Sequence, residues 1–286
     1  MKILRLAQSL GSSKGGGTPT PPVASGFTFS VNTANAGSAS NQFQLPLVSS
    51  GAISMDVAWG DGTTDTITSY NQAETLHTYS ASGTYTISIE NEVRGWKFAN
   101  GGDKLKMLDV SNWGDFNVTI GDTFWGCTNL TSSATDSATI NYPNPIRIFA
   151  DCPSFNGNVN NWTIVQAFNR YGTFLNATSF NQPLNNWDMS GATSIHSMFS
   201  GATSFDQDLS SWQISNVAYY TNFLAGGELS TANYDALLIS WEAQGPTAGH
   251  TTTFGTSKYT LGGAAEAARA SLISTYGWTI TDGGGI

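Results

Sequence analysis

A fixed internal period constrains this chain more than any other feature. Phe124, Phe149, Phe174 and Phe199 each open a similar segment, and each step is 25 residues. Tryptophan keeps the same period at Trp162, Trp187 and Trp212. Trp113 belongs to the opening turn, offset from Trp162 by one residue less than two periods, which marks a deletion in an early turn. A unit this short cannot bury its own apolar edge. Stacking neighbours on it can, so the period predicts a coil of turns whose Phe, Phe/Leu and Trp positions form ladders through one continuous core. The expected extent is residues 99–228. Cys127 and Cys152 occupy the same position in adjacent turns. Two cysteines are no disulfide framework, and a bond would need Cβ atoms within about 4.5 Å. Buried free thiols acting as small hydrophobes are the favoured reading.

The residues before the repeat follow a different rule. Phe27-Thr28-Phe29-Ser30-Val31, the stretch around Met55-Asp56-Val57-Ala58-Trp59, and Thr84-Tyr85-Thr86-Ile87-Ser88-Ile89 alternate apolar and polar residues. That period of two marks strands with one buried face. Gly60-Asp61-Gly62 and Ser82-Gly83 are tight-turn signals between them. Residues 25–98 are therefore expected to form a small β-sandwich.

Two families share these patterns. Val57-Ala58-Trp59-Gly60-Asp61-Gly62-Thr63, His77-Thr78-Tyr79 and Gly83-Thr84-Tyr85-Thr86-Ile87 together resemble the PKD (polycystic kidney disease) domain. The resemblance implies an immunoglobulin-like sandwich used as a spacer or binding module. In that reading Trp59 fills the core, Asp61 caps the turn, His77 hydrogen-bonds across to it, and Tyr79 and Tyr85 belong to the same motif. A calcium site at Asp61 and Asp65 is disfavoured, because two carboxylates without a third ligand are too few. Farther on, Gly201-Ala202-Thr203-Ser204-Phe205-Asp206-Gln207-Asp208-Leu209-Ser210-Ser211-Trp212 resembles the BspA-type leucine-rich-repeat surface proteins. So do Ala177-Thr178-Ser179-Phe180-Asn181-Gln182-Pro183-Leu184-Asn185-Asn186-Trp187 and the following residues to Phe199. That family implies a leucine-rich-repeat-like solenoid and adhesion through protein or glycan binding, on bacterial surfaces or in phage-encoded proteins.

The ends of the chain complete the layout. Met1–Leu10 carries Lys2 and Arg5 among Ile3, Leu4, Leu6 and Leu10. Arg5 and Gln8 interrupt an apolar stretch already too short for a secretory signal. We expect a short amphipathic anchor docking on a partner, followed by a Gly/Pro linker, over residues 1–24. Residues 229–286 are expected to cap the coil. Tyr234, Leu237, Leu238 and Trp241 fall at helical spacing behind Ser230 or Thr231 as N-cap, a second helix runs from about Ala264 to Thr275, and Trp278–Thr281 reads as a closing strand. The expected fold class is multidomain and mainly β with some α: a PKD-like sandwich, a solenoid of 25-residue turns, and a small α/β cap.

Composition narrows the function. Eleven Lys and Arg against twenty Asp and Glu give a net charge of −9, which disfavours nucleic acid and anionic membranes. Charged residues are only 11% of the chain, so Ser, Thr, Asn and Gly supply the polar surface, as suits virion and extracellular repeat proteins. No run reaches the roughly 20 apolar residues of a membrane span. His77, His196 and His250 lie in three different regions, and no zinc, phosphate-loop or nucleophile motif occurs. Asp206 and Asp208 could imitate a glycosidase pair, but Asn181 and Pro183 hold the equivalent positions one turn earlier. The expectation is a non-catalytic protein without cofactor or metal. It would be a phage fibre, decoration or adaptor component on the virion surface, oligomeric or part of a larger assembly, with a host glycan or protein as ligand. A bacterial surface adhesin is the alternative, and a carbohydrate-active enzyme has only the modular layout in its favour.

Overall fold

A computed structural model describes residues 26–49 and 53–286. The anchor residues Lys2, Ile3, Leu4, Arg5, Leu6 and Leu10 lie outside the described residues. The described chain is mainly β, with several sheets and two α-helices.

The alternating segments form strands. In chain order they are β1 (Phe27–Asn32), β2 (Gln42–Gln44), β3 (Met55–Ala58), β4 (Thr64–Ile67), β5 (Leu76–Thr78) and β6 (Thr84–Glu90). Strand β7 (Met107–Asn112) follows, then β8 (Asn117–Val118), β9 (Thr131–Ser132), β10 (Thr139–Asn141) and β11 (Thr163–Gln166). The main sheet runs β4-β3-β6-β1-β7-β9, while β2 and β5 pair separately. Phe27, Phe29, Val31, Met55, Val57, Ile87 and Ile89 point to one side and are buried. Phe29 meets Phe43 of β2 at 5.9 Å between ring centroids, so the two-stranded sheet packs over that side.

The main sheet does not stop where the alternating pattern ends. Strand β1 pairs antiparallel with β6 on one side and with β7 on the other, and β7 continues parallel into β9. The first strands and the first turns of the repeat therefore share a sheet and a core. Phe27 contacts Trp96, Trp113 and Phe116 at 5.3, 6.0 and 4.5 Å.

A buried polar clamp closes the same junction. Asp103 accepts hydrogen bonds from the Ser38 hydroxyl and from the backbone N–H groups of Ser38 and Gln44. The Lys106 ammonium donates to the carbonyls of Ser38, Ala39 and Gln42 and to the Ser38 hydroxyl. Lys106 is 0% exposed and Asp103 2%, and their charges lie 3.8 Å apart. Burial lowers the Lys106 pKa, and the Asp103 carboxylate acts against that shift.

Beyond it the turns stack. The backbone N–H groups of Phe124, Phe149, Phe174 and Phe199 donate to Ile148, Thr173, Met198 and Phe223, one turn on, at 2.8–2.9 Å. The rings follow the backbone. Phe124, Phe149, Phe174 and Phe199 stack at 5.5, 5.9 and 5.6 Å, and Phe155, Phe180 and Phe205 at 6.1 and 6.0 Å. Within a turn the two columns meet at 3.8–3.9 Å. All seven rings are 0% exposed.

Each turn also needs a left-handed residue two positions after its leading residue, Phe in four turns and Leu224 in the fifth. Gly126, Asp151, Asn176, Gly201 and Gly226 fill that place, with φ of 86°, 52°, 57°, 74° and 76°. Glycine and the short Asx side chains tolerate this conformation best.

The C-terminal residues extend the stack with wider turns. Helix α1 (Thr231–Ala243) leads into β12 (Thr251–Thr253), and α2 (Ala264–Ser274) into β13 (Thr279–Thr281). Strands β12 and β13 are parallel, Leu224 N–H donates to the Thr253 carbonyl, and Phe254 N–H to Thr281. Tyr234, Leu237, Leu238 and Trp241 bury the inner stripe of α1. Ser230 holds the N-cap position but makes no side-chain cap bond. Its hydroxyl is turned instead to Asp206, 2.9 Å away, because that carboxylate also binds its N–H and the Asn233 amide.

Candidate binding surface

The residues of the first motif meet in one structural cluster. Trp59 is fully buried, stacks on His77 at 4.5 Å, and donates from Nε1 to Asp65. Asp61 accepts from the Thr63 N–H, the Thr63 hydroxyl and His77 Nε2, the last at 2.9 Å. Tyr79 donates to the Trp59 carbonyl and stacks on Tyr85 at 3.7 Å. Both carboxylates are thus engaged in holding the turn.

This arrangement predicts an acid limb. Partial burial raises the Asp61 pKa, but the Thr63 and His77 hydrogen bonds outweigh it and lower the value from 3.8 to about 2. A carboxyl group whose folded value lies below its unfolded value stabilises the fold above the unfolded value. That contribution drains away as pH falls from about 4 toward 2. In urea titrations across that window, Asp61→Asn should show a flatter loss of stability than the parent chain.

The repeat residues divide into an inner and an outer set. Trp162, Trp187 and Trp212 are buried with the phenylalanines. Trp187 and Trp212 donate from Nε1 to the carbonyls of Val159 and Leu184 in the preceding turn. Trp162 Nε1 has no such partner among the described residues. It packs edge-on against Trp113 at 4.8 Å instead, where the early turns depart from the period. Cys127 and Cys152 are free and buried, and burial raises both thiol pKa values, so neither is a poised nucleophile.

Most polar repeat positions are occupied with the coil itself. The Asn156 amide oxygen accepts the Asn181 N–H, and the Asn181 oxygen accepts the Asp206 N–H, both at 2.9 Å. Asn160 bonds Asn185, and Asn161 bonds Asn186. Asp206 is consumed at the start of α1, and Asp208 caps Ser210.

One outward strip is different. Trp125 is half-buried, and the Arg147 guanidinium lies 4.1 Å over its ring while bonding Asp122. Tyr171 follows, 6.0 Å from the same guanidinium, and His196 packs on Tyr171 at 5.1 Å. Phe168 is 46% exposed and Tyr219 64%. An open cleft of about 360 Å³ lies here, lined by Asn144, Asn169, Tyr171, Thr193, His196 and Tyr219. Sequence reasoning passed over these residues because the residue type changes from turn to turn. The available signal was positional: residues 144, 169, 194 and 219 share one repeat position, and 171 and 196 another.

Residues 118–237 match the family model described as Mycoplasma protein of unknown function, DUF285. The match covers the stacked turns and the first half of α1, less than half of the chain, and agrees with the BspA-type repeat resemblance. No curated protein and no solved structure matches the chain.

Proposed function

We propose that this chain is a non-catalytic structural and binding protein of a bacteriophage virion: a fibre, decoration or adaptor component. Its N-terminal segment anchors it, and its repeat domain faces outward to the host surface. The finer reading of the fold belongs here too: a PKD-like sandwich carrying a leucine-rich-repeat-like solenoid, with the C-terminal helices covering the far end.

The strip Trp125–Arg147–Tyr171–His196–Tyr219 is the observation that carries the reading. It is a partly exposed aromatic surface, open most at Tyr219, held on a hydrogen-bonded ladder, and accessible rings on such a scaffold mark interaction sites. The low charge content and the consumption of Asp206 and Asp208 in turn and helix contacts favour presentation over chemistry. A second reading, a bacterial surface adhesin, is favoured by the matched family's description as a Mycoplasma protein.

The full chain, fluorescently labelled, should bind intact cells of some strains in a panel, saturably and in competition with unlabelled protein. Uniform absence of saturable binding across the panel would contradict the proposal.

A further inference from the structure

We infer that the cleft between Asn144 and Tyr219 binds a neutral, extended oligosaccharide, laid along the stack with its sugar units stepping from turn to turn. The inference rests on the reading of the repeat face as a binding surface and names its ligand class.

The cleft offers both ring faces and polar groups. Its lining combines exposed ring surface from Tyr171, His196 and Tyr219 with the Asn144 amide and the Thr193 hydroxyl. Apolar faces with a few convergent polar groups are the usual make-up of a small-molecule site. Sugar rings have the complementary form, with a C–H face to lie on an aromatic ring and hydroxyls at the rim to bond amides and phenols. The Tyr171 and Tyr219 hydroxyls, the His196 ring nitrogens and the Asn144 amide make no hydrogen bond with any described residue. The Asn169 amide oxygen is used on the Tyr171 N–H, which fixes the side chain and leaves its NH₂ without a partner among the described residues.

Charge and backbone exclude the main competitors. No carboxylate or ammonium lines the cleft. The Arg147 guanidinium, 6.0 Å from the Tyr171 ring, is held by Asp122 and Trp125, so a charged sugar gains no free counter-ion there. A peptide adding as a strand would need free backbone groups. Here the N–H groups of Arg170, Thr193, Ile195 and Ala218 all bond within or between turns, the first and third to the Ser194 and Tyr219 carbonyls.

Spacing supplies the direction. Asn169, Ser194 and Tyr219 are joined by parallel bridges, so one repeat position recurs at the strand-to-strand distance of roughly 5 Å. That step is close to the length of one 4-linked pyranose unit, which lets neighbouring turns meet neighbouring sugars.

The test is isothermal titration of the full chain with cellohexaose, chitohexaose and mannohexaose, and with hexagalacturonate as the acidic comparison. At least one neutral hexamer should bind with a Kd on the order of 100 μM. Tyr219→Ala and His196→Ala, both at rings lining the cleft, should weaken it roughly tenfold, by loss of ring contact, with unchanged circular dichroism and thermal midpoint. The proposal is overturned if no neutral hexamer binds, if only hexagalacturonate binds, or if both variants bind like the parent. Loss of hexamer binding in both variants with cell binding retained would support the cleft as a sugar site and place cell attachment elsewhere on the chain. Hexamer binding without cell binding would support the cleft and count against the host-surface reading.

Discussion

Replacing Asp103 with Ala should destabilise the whole chain by about 3–5 kcal/mol, the usual consequence of removing one partner from a buried ion pair. The residue sits in a turn that reads as surface in the sequence, Gly101-Gly102-Asp103-Lys104-Leu105-Lys106. In the fold its carboxylate takes three hydrogen bonds from Ser38 and Gln44. Without it those donors lose their acceptor, and the Lys106 ammonium keeps only uncharged oxygens around it. The carboxylate is closely packed, since a Cβ on Gly37 would come within 2.2 Å of Asp103 Oδ1. Urea denaturation followed by tryptophan fluorescence measures the loss. The double variant Asp103→Ala/Lys106→Met should recover part of it, because no uncompensated charge is then left buried. Equal stability of Asp103→Ala and the parent chain would show that the clamp does not hold the junction.

The second large effect is expected at Phe174. Its ring is fully buried and touches Phe149, Phe199, Phe180 and Trp187 at 5.9, 5.6, 3.8 and 5.9 Å. Phe174→Ala opens a cavity in the middle of both columns. The backbone ladder on either side prevents the turns from closing over it, so the cost should fall at about 3–5 kcal/mol. Calorimetry should show a single endotherm moved to lower temperature, because the hydrophobic core runs unbroken from Phe27 to Trp278. Tyr219→Ala, at an exposed ring on the same stack, should change stability by no more than about 0.5 kcal/mol.

The contrast between these sites explains what the sequence makes legible. A ladder residue must repeat, because each turn presents the same inner position to the next. Phe124, Phe149, Phe174 and Phe199 are therefore visible as a period. The motif around Trp59, Asp61 and His77 is visible for a similar reason, since a tight turn and its stacking partners demand particular residue types. The pairing of β1 with β7 leaves no such trace. Alternation marks Phe27–Val31 as a strand with a buried face, but hydrogen bonding along its two edges is indifferent to side-chain type. Lys106 and Asp103 were hidden because charged residues beside glycines usually belong to solvent. Asn156, Asn181 and Asp206 are polar and periodic for a structural reason: the amide oxygens of the first two accept the backbone N–H one turn on. The cleft is the least legible part. Its positions repeat, but their residue types do not: Asn144 and Asn169 are followed by Ser194 and Tyr219.

Electron cryomicroscopy of the native source particle tests the central claim most directly. The account predicts the chain at symmetric positions on a virion, with its N-terminal segment inserted in a neighbouring protein and the strip from Trp125 to Tyr219 facing outward. A free monomer, or a chain whose aromatic strip is covered by a virion neighbour, would contradict it.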